Sequence, residues 1–393
     1  MFPLKNSREN SILYVVVICC DRSLTTVKYG VNILRILVDA MGGDYAPDAI
    51  VNGSVDAIKL QDGFDIALIG DGDQIERILE SRNFKSPRLE VIHAKEVITN
   101  DDVPTRAIKS KKNSSMVVGF NMLKEKKGDV FLSAGSTGAL LTGALFILGR
   151  LKGVDRPALG AVIPTKAGKC LLIDAGLNTT CKPVNYIQFG IFGSAYMKGL
   201  YKKENPRVGL VNMGTEAKKG TEILKQAYTM LKSTKLNFVG NIEGKDIPMG
   251  NVDVAVCDGY VGNVMLKFLE GTGSFFSGLI KGMFTRNIFS KISTLFVMKD
   301  MKAFKKMMDP SEDGGAPILG VNGIVIKSHG NSNSKTIKNV IMKAYNLAKS
   351  SVFEEIRNSV ENMEVNTDGE KTRRERKRWH FRYRKLRPRK DFD

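Results

Sequence analysis

A turn rich in small residues, SAGSTGA, spans residues 133–139 and combines glycines with hydroxyl side chains. Residues 129–132 before it are typical of a strand, and residues 140–148 after it are typical of an apolar helix. Backbone N–H groups at a helix N-terminus, together with the helix dipole, favour a bound anion. An ordinary tight turn is the alternative, because the spacing matches neither GxGxxG nor GxxxxGK[ST]. The residues of the predicted phosphate site are Ser133, Gly135, Ser136, Thr137 and Gly138.

Polar residues and glycines also follow the other apolar segments of the chain. In open α/β sheets, ligands bind outside the carboxyl ends of the strands, at the point where the strand order switches. We therefore predict one polar rim of strand ends, although turn formation and helix capping are the alternative for each position. The predicted substrate-binding members of this rim are Asp39, Gly42, Gly43, Asp174, Asn212, Glu243 and Asp258.

Apolar strands and amphipathic helices alternate over residues 33–348, which predicts an α/β protein with a mainly parallel sheet covered by helices on both faces. The predicted strands are 33–38, 65–69, 89–93, 129–132, 160–163, 170–174, 208–212, 236–239, 252–257 and 323–326. The main predicted helices are 74–80, 104–126, 140–148, 183–201 and 336–348.

Composition divides the 393-residue chain into three parts, with an extension at 1–32, one globular domain at 33–352, and a polar and then basic tail at 353–393. The net charge is +19, and residues 371–393 hold twelve Lys and Arg against three acidic residues. The rest of the chain is still basic, which favours acidic partners or anionic membranes. Five cysteines without metal-type spacing indicate free thiols in a reducing compartment, and only three histidines argue against a zinc enzyme.

Two basic segments stand apart from the alternation. Residues 274–309 repeat Phe and Met at helical spacing, with lysines on the polar positions. Packing in the core or in a dimer interface is one interpretation, and a cationic amphipathic hairpin on an anionic membrane is the other. The membrane interpretation assigns contacts to Phe284, Phe289 and Lys291. The basic and aromatic tail is typical of a solvated segment, with binding to single-stranded nucleic acid or lipid headgroups as the alternative.

Taken together, eight blocks of sequence resemble the phosphate acyltransferase (PlsX) family of bacterial phospholipid synthesis. In order, they are ILVDAMGGDYAPDAIVNG, SAGSTGALLTGA, RPALGAVIPT, DAGLN, GLVNMGTEAKKG, FVGNIEGKDI, DVAVCDGYVGNVMLK and GVNGIVIKSHGNSNSKTIKN. The resemblance covers about residues 33–348. It implies a doubly wound α/β/α sandwich of the isocitrate and isopropylmalate dehydrogenase type, with the amphipathic segment as an excursion.

The resemblance further implies transfer of a long-chain acyl group from acyl carrier protein to inorganic phosphate. The acyl phosphate product would serve a membrane glycerol-3-phosphate acyltransferase. A homodimer is expected, in the cytoplasm and peripherally associated with an anionic membrane surface. A short-chain phosphotransacylase that uses acyl-coenzyme A is the nearest alternative, whereas a nicotinamide-dependent dehydrogenase lacks support because no GxGxxG fingerprint occurs.

Attack of phosphate on a thioester requires no metal, cofactor or enzyme nucleophile, so we expect none. The protein has to position the anion beside the carbonyl and to stabilise the oxyanion. Lys166 or Lys182 is expected to balance the charge of the phosphate. Asn178, Asn263 and His329 are expected to orient the thioester or to protonate the departing thiolate.

Overall fold

A computed structural model describes residues 12–16, 26–30, 33–285, 297–299, 301 and 313–370. Its strands are β1 Ile12–Val16, β2 Thr26–Gly30, β3 Leu34–Asp39, β4 Phe64–Gly70, β5 Leu89–His93, β6 Val130–Ser133, β7 Ala158–Thr165, β8 Gly168–Ile173, β9 Val208–Val211, β10 Phe238–Ile242, β11 Val254–Val256, β12 Ala316–Leu319 and β13 Ile324–Lys327. Its main helices are α1 Asp48–Leu60, α2 Gly72–Ser81, α3 Pro104–Ser110, α4 Ser115–Lys124, α5 Thr137–Gly143, α6 Pro183–Tyr201, α7 Glu222–Lys232, α8 Asp246–Met249, α9 Gly259–Thr285, α10 Ser334–Lys349 and α11 Val352–Glu370.

The fold is built on an 11-stranded sheet. Its strand order is β10-β9-β11-β8-β7-β12-β13-β6-β3-β4-β5. Its pairings are parallel except at β7–β8, β7–β12 and β12–β13, so the predicted mainly parallel α/β sheet is confirmed. Strand β12 was not predicted from the sequence. This strand is only four residues long and contains a proline, so no alternation of apolar and polar residues distinguishes it from a loop.

The three antiparallel pairings reverse the strand direction in the middle of the sheet. Strands β8 to β11 therefore run opposite to β3 to β6 and β13, and the carboxyl ends of the two groups lie at opposite edges. The prediction of one continuous polar rim is wrong. Alternation of strands and helices indicates parallel neighbours, but it carries no information on the direction in which a central hairpin re-enters the sheet.

Helices cover both faces of the sheet around β3. Ile36 and Val38 point into one apolar cluster, which contains residues of α1 and α10. Leu37 points to the other face, against residues of α4 and α5. Because β4 and β5 continue the sheet on one side of β3 while β6 lies on its other side, the strand order switches between β3 and β6. This is the position at which doubly wound sheets bind ligands.

The helical segments differ from the sequence prediction in several places, and the short helix α8 is one that was not predicted. The predicted helix over 104–126 is two helices, because Ser114 accepts a hydrogen bond from the Val117 N–H and starts α4. The apolar helix after SAGSTGA ends in a π-helical turn at Ala144–Leu148. Helix α11 was not predicted, yet Val352, Ile356 and Val360 are buried at a spacing of four residues. The packed part of the chain therefore continues beyond the predicted boundary at residue 352.

Helix α9 includes the start of the predicted amphipathic segment. Several of its exposed residues are apolar, with exposed fractions of 71% for Phe268, 61% for Phe275 and 67% for Met283. Lys267 and Lys281 are exposed on the same helix. Phe284 belongs to the same helix, whereas Phe289, Lys291 and the basic tail at 371–393 lie outside the described residues. None of the helices described is long and apolar enough to cross a membrane.

Candidate active site

A buried carboxylate fixes the shape of the SAGSTGA turn. Asp39 ends β3 and Ser133 ends β6, so the two residues meet at the switch point of the sheet. The Ser133 hydroxyl donates to Asp39 Oδ2 at 2.6 Å and accepts from the Gly135 N–H at 3.0 Å. Both side chains are almost fully buried, and burial raises the pKa of Asp39. The buried Asp39 carboxylate therefore stabilises the SAGSTGA turn through the Ser133 hydroxyl.

The MGGD loop, residues 41–44, lies in direct contact with the SAGSTGA turn. A Cβ atom on Gly42 would lie 2.6 Å from the Gly135 nitrogen and 2.7 Å from Asp39 Oδ2. Gly43 adopts a φ of +110°, which side chains rarely tolerate. The two glycines therefore allow a backbone approach that no other residue type allows. Both glycines were predicted from sequence to bind substrate, and the structure places Gly42 beside Ser133 and Gly43 beside Ala134.

The beginning of α5 offers free backbone donors at the same place. Ser136 occupies the N-cap position of α5 and makes no side-chain cap hydrogen bond. Thr137 and Gly138 are exposed. The first N–H groups of a helix have no intrahelical partner, so those at the start of α5 can donate to an external acceptor.

Lys327 places a cationic side chain beside the SAGSTGA turn. It was not among the site residues predicted from sequence. It ends β13 and lies in register with Ser133 on the neighbouring strand. Its Nζ donates to the Ala134 carbonyl at 3.3 Å and to the Ser328 carbonyl. Burial lowers the pKa of Lys327 to about 8, while the carboxylates of Asp39 and Asp44 oppose that shift. Its only signal in the sequence is a lysine at the end of an apolar strand.

The loop after β13 completes the same edge of the sheet. His329 is exposed, and its Nδ1 accepts from the Asn331 N–H at 3.4 Å. The Gly330 carbonyl accepts from the Asp44 N–H at 2.8 Å, which joins this loop to the MGGD loop. The imidazole of His329 therefore belongs to the same edge as the SAGSTGA turn.

Asp174 organises a second polar cluster, at the end of β8. Its carboxylate accepts from the Leu159 N–H at 3.0 Å, the Asn178 N–H at 2.7 Å and the Asn178 side chain at 2.8 Å. The Asn178 amide also donates to the Pro157 carbonyl at 2.7 Å. Asp258 caps the start of α9 through the Val261 N–H at 2.9 Å. These contacts stabilise the local backbone.

The second cluster is separated from the SAGSTGA turn. The strand order places β8 four strands from β6, which corresponds to about 19 Å across the sheet. Asn263 belongs to this cluster, because its amide nitrogen lies 2.7 Å from the position of a Cβ on Gly176. The structure therefore does not bring Asn178, Asn263 or Asp258 together with Ser133.

The two predicted phosphate lysines also lie elsewhere. Lys182 precedes α6, and its Nζ lies 3.5 Å from Asp155. Lys166 is exposed on the β7–β8 hairpin, and strand register places it five residues beyond the level of Ser133, or about 16 Å. A lysine side chain is shorter than that separation, so the structure does not place Lys166 at the SAGSTGA turn.

The two remaining predicted rim residues stabilise loops on the β9–β10 side of the sheet. The Asn212 side chain donates to the Lys219 carbonyl at 3.1 Å. Glu243 pairs with Lys245 at 2.5 Å. Because these residues follow strands that run opposite to β6, they are separated from the SAGSTGA turn.

The sheet topology and the helices on both faces of the sheet define an α/β fold that is shared with phosphotransacylases. A phosphotransacetylase from Staphylococcus aureus aligns with a TM-score of 0.53 at 13% identity, covering 80% of this chain and 94% of that one. A branched-chain phosphotransacylase from Enterococcus faecalis aligns with a TM-score of 0.51 at 14% identity, covering 81% and 99%. At such identities the likeness concerns the fold alone.

Sequence similarity defines the family. Residues 34–355 match the family described as fatty acid synthesis protein. A phosphate acyltransferase from Acetivibrio thermocellus is 62% identical over 330 residues, covering 84% of this chain and 97% of the relative. One from Thermoanaerobacter pseudethanolicus is 48% identical, covering 84% and 98%. The chain belongs to the phosphate acyltransferase family, as the eight sequence blocks predict.

Proposed function

We propose that this protein transfers a long-chain acyl group from acyl carrier protein to inorganic phosphate. A phosphate oxygen attacks the thioester carbonyl, a C–O bond forms, the C–S bond breaks, and the carrier thiolate leaves and takes up a proton. The main observation behind the proposal is the SAGSTGA turn at the switch point of the sheet. Asp39 and Ser133 stabilise this turn, and Lys327 lies next to it. Family membership supports the same reaction.

Phosphate is proposed to bind at the N-terminus of α5. The free N–H groups there, with the hydroxyls of Ser136 and Thr137, supply donors to its oxygens. Lys327 supplies the positive charge that sequence analysis assigned to Lys166 or Lys182. Asp39 is a positioning residue, because its contact is with the Ser133 hydroxyl.

His329 is the proposed source of the proton for the departing thiolate. Its imidazole is exposed at the edge that carries the phosphate turn, and imidazole is the side chain best suited to proton transfer near neutral pH. The Asn178 amide is occupied by backbone and carboxylate partners in the second cluster, so we assign it a structural role.

The donor is tested by comparing kcat/KM for a long-chain acyl carrier protein thioester and for acetyl-coenzyme A, each with saturating phosphate. The proposal expects the carrier-bound donor to be preferred by at least about 100-fold, because binding energy from the carrier and chain is available only to that donor. A preference for acetyl-coenzyme A would support the short-chain alternative.

The proposed charge on Lys327 predicts a pH dependence. The ordinary pKa of lysine is 10.5, and burial lowers that of Lys327 to about 8. The free enzyme therefore loses this cation above about pH 8, and kcat/KM for phosphate should fall there. Over the same range the folded state binds fewer protons than the unfolded state, so stability should rise with pH between 8 and 10.5.

Lys327→Arg provides the control, because a guanidinium keeps its charge through this pH range. Its kcat/KM for phosphate should remain level where that of the wild type falls. A wild-type profile that stays level through pH 9 would contradict the assignment without reference to any variant.

The acyl phosphate product is proposed to pass to a membrane glycerol-3-phosphate acyltransferase, and α9 is the proposed membrane contact. Phe268, Phe275 and Met283 expose an apolar surface on this helix. An apolar helix face flanked by lysines binds anionic interfaces without spanning the bilayer. The alternative is that this surface of α9 contacts a second copy of the chain in a homodimer.

Replacing Phe275 and Met283 with Glu should abolish co-sedimentation with phosphatidylglycerol vesicles, since two carboxylates oppose both insertion and the anionic surface. Met213→Glu with Met249→Glu is the matched control, because these methionines are also exposed but lie outside α9. Loss of dimerisation with unchanged vesicle binding would instead assign α9 to the interface between subunits.

A further inference from the structure

Helix α3 lies directly beside the proposed phosphate site. A Cβ on Gly138, at the start of α5, would lie 2.8 Å from the ring of Pro104, which starts α3. Further along the chain, Nζ of Lys109 in α3 lies 5.9 Å from the ring centre of Phe146, in the π-helical turn that follows α5. These two contacts show that α3 and α5 run side by side in the same direction. Their N-termini therefore point to the same edge of the sheet.

The outward side of α3 is cationic. Arg106, Lys109 and Lys112 are all exposed. Helix α3 itself contains no acidic residue. Of the two carboxylates just before α3, Asp102 pairs with Lys111 at 2.6 Å and Asp101 is exposed. The three exposed cations therefore leave this surface with a net positive charge.

Apolar side chains accompany these cations. Val103 precedes α3 with 61% of its surface exposed, and Phe146, whose ring lies near Lys109 Nζ, is 66% exposed. An open, shallow depression of about 390 Å³ is lined by Thr105, Arg106, Lys109 and Ser110. An exposed aromatic ring within a cationic surface is the composition of a protein docking site, in which apolar contact adds to charge complementarity. We call Val103, Arg106, Lys109, Lys112 and Phe146 the α3 basic face.

We propose that the α3 basic face docks the acidic carrier protein that delivers the acyl thioester. The inference rests on the proposed function, since it assigns a location to the donor of that reaction. The donor must dock close enough for its thioester to reach phosphate at Gly138, and α3 borders that residue. An acidic protein complements the exposed cations, which increases the rate of encounter and orients the complex.

The test is a double charge reversal, Arg106→Glu with Lys109→Glu, assayed with an acyl carrier protein thioester and phosphate. The KM for the carrier-bound donor should rise at least about tenfold, while kcat and the KM for phosphate stay unchanged. Added salt should raise the wild-type donor KM, because it screens the attraction between the exposed cations and the acidic carrier. In the variant the effect of salt should be reversed, because the two introduced carboxylates repel the carrier and salt screens that repulsion. Lys232→Glu with Lys235→Glu is the matched control, because both lysines are exposed at α7 on the distant half of the sheet.

An unchanged donor KM in an active variant would overturn the docking site. A rise in the KM for phosphate alone would also overturn it, because Arg106 and Lys109 would then bind the small substrate. If the wild-type protein released no thiol in response to phosphate, the proposed function would fail. The docking site would then still be tested by fluorescence anisotropy, which measures binding of labelled carrier protein to the wild type and to the variant without any reaction.

Discussion

Replacing Lys327 with Met is expected to lower kcat/KM for phosphate by about 100- to 1000-fold, the range observed when one preorganised donor is removed from a desolvated site. Lys327 Nζ lies at the Ala134 carbonyl within the turn that is proposed to hold the anion. Methionine has a similar length and removes only the charge and the donors. Steady-state kinetics with phosphate as the varied substrate measure the effect.

Two measurements separate this effect from unfolding. Thermal unfolding of Lys327→Met should show a folded protein, because the change removes a largely buried cation and adds an apolar side chain of similar volume. Lys166→Met is the matched lysine control, since Lys166 lies on the exposed β7–β8 hairpin. Equal losses in the two variants would show that neither lysine acts at the turn.

Replacing Gly42 with Ala is the second change with a large expected effect. The added methyl group would lie 2.6 Å from the Gly135 nitrogen and 3.0 Å from the Ser133 hydroxyl, so the turn must move. We expect kcat/KM to fall by about 100-fold or more, because a displacement of about 1 Å is enough to misalign a reaction centre. Overpacking should also cost about 1–3 kcal/mol of unfolding free energy.

Gly271→Ala is the matched control. Gly271 is an exposed residue of α9, and a Cβ there would meet no atom within 4 Å. The same methyl group should leave activity unchanged and should stabilise the helix by up to about 1 kcal/mol. Full activity of Gly42→Ala would show that the close approach of the MGGD loop is not required for the reaction.

The fold was predictable wherever hydrophobic period and turn chemistry agree. The helix at 183–201 and the strand at 89–93 have the predicted bounds, because each is a clear apolar pattern with distinct ends. Helix α11 escaped prediction because its buried residues are isolated valines and isoleucines in a polar segment. Sequence pattern shows which residues are apolar, but whether another helix is present to cover them is decided by tertiary structure.

The candidate site likewise contains some residues that could be predicted from sequence and others that could not. Asp39 and Gly42 were predicted from sequence to bind substrate and Ser133 to bind phosphate, because small and acidic residues that follow a strand are recognisable locally. The structure places the three residues in contact. Lys327 was missed, since a lysine at the end of a strand is usually solvated, and its burial depends on the neighbouring β6 and the MGGD loop. Asp174 and Asn178 were predicted at the same rim because the antiparallel β7–β8 hairpin cannot be read from single segments.

The most direct test of the proposed reaction is the fate of labelled phosphate. Purified protein is incubated with a long-chain acyl carrier protein thioester and ¹⁸O-labelled phosphate, and the products are analysed by mass spectrometry as free carrier thiol appears. We predict one labelled acyl phosphate for each thiol released, and no thiol release when phosphate is omitted. Thiol release that proceeds equally without phosphate, or that yields only free fatty acid, would contradict the account.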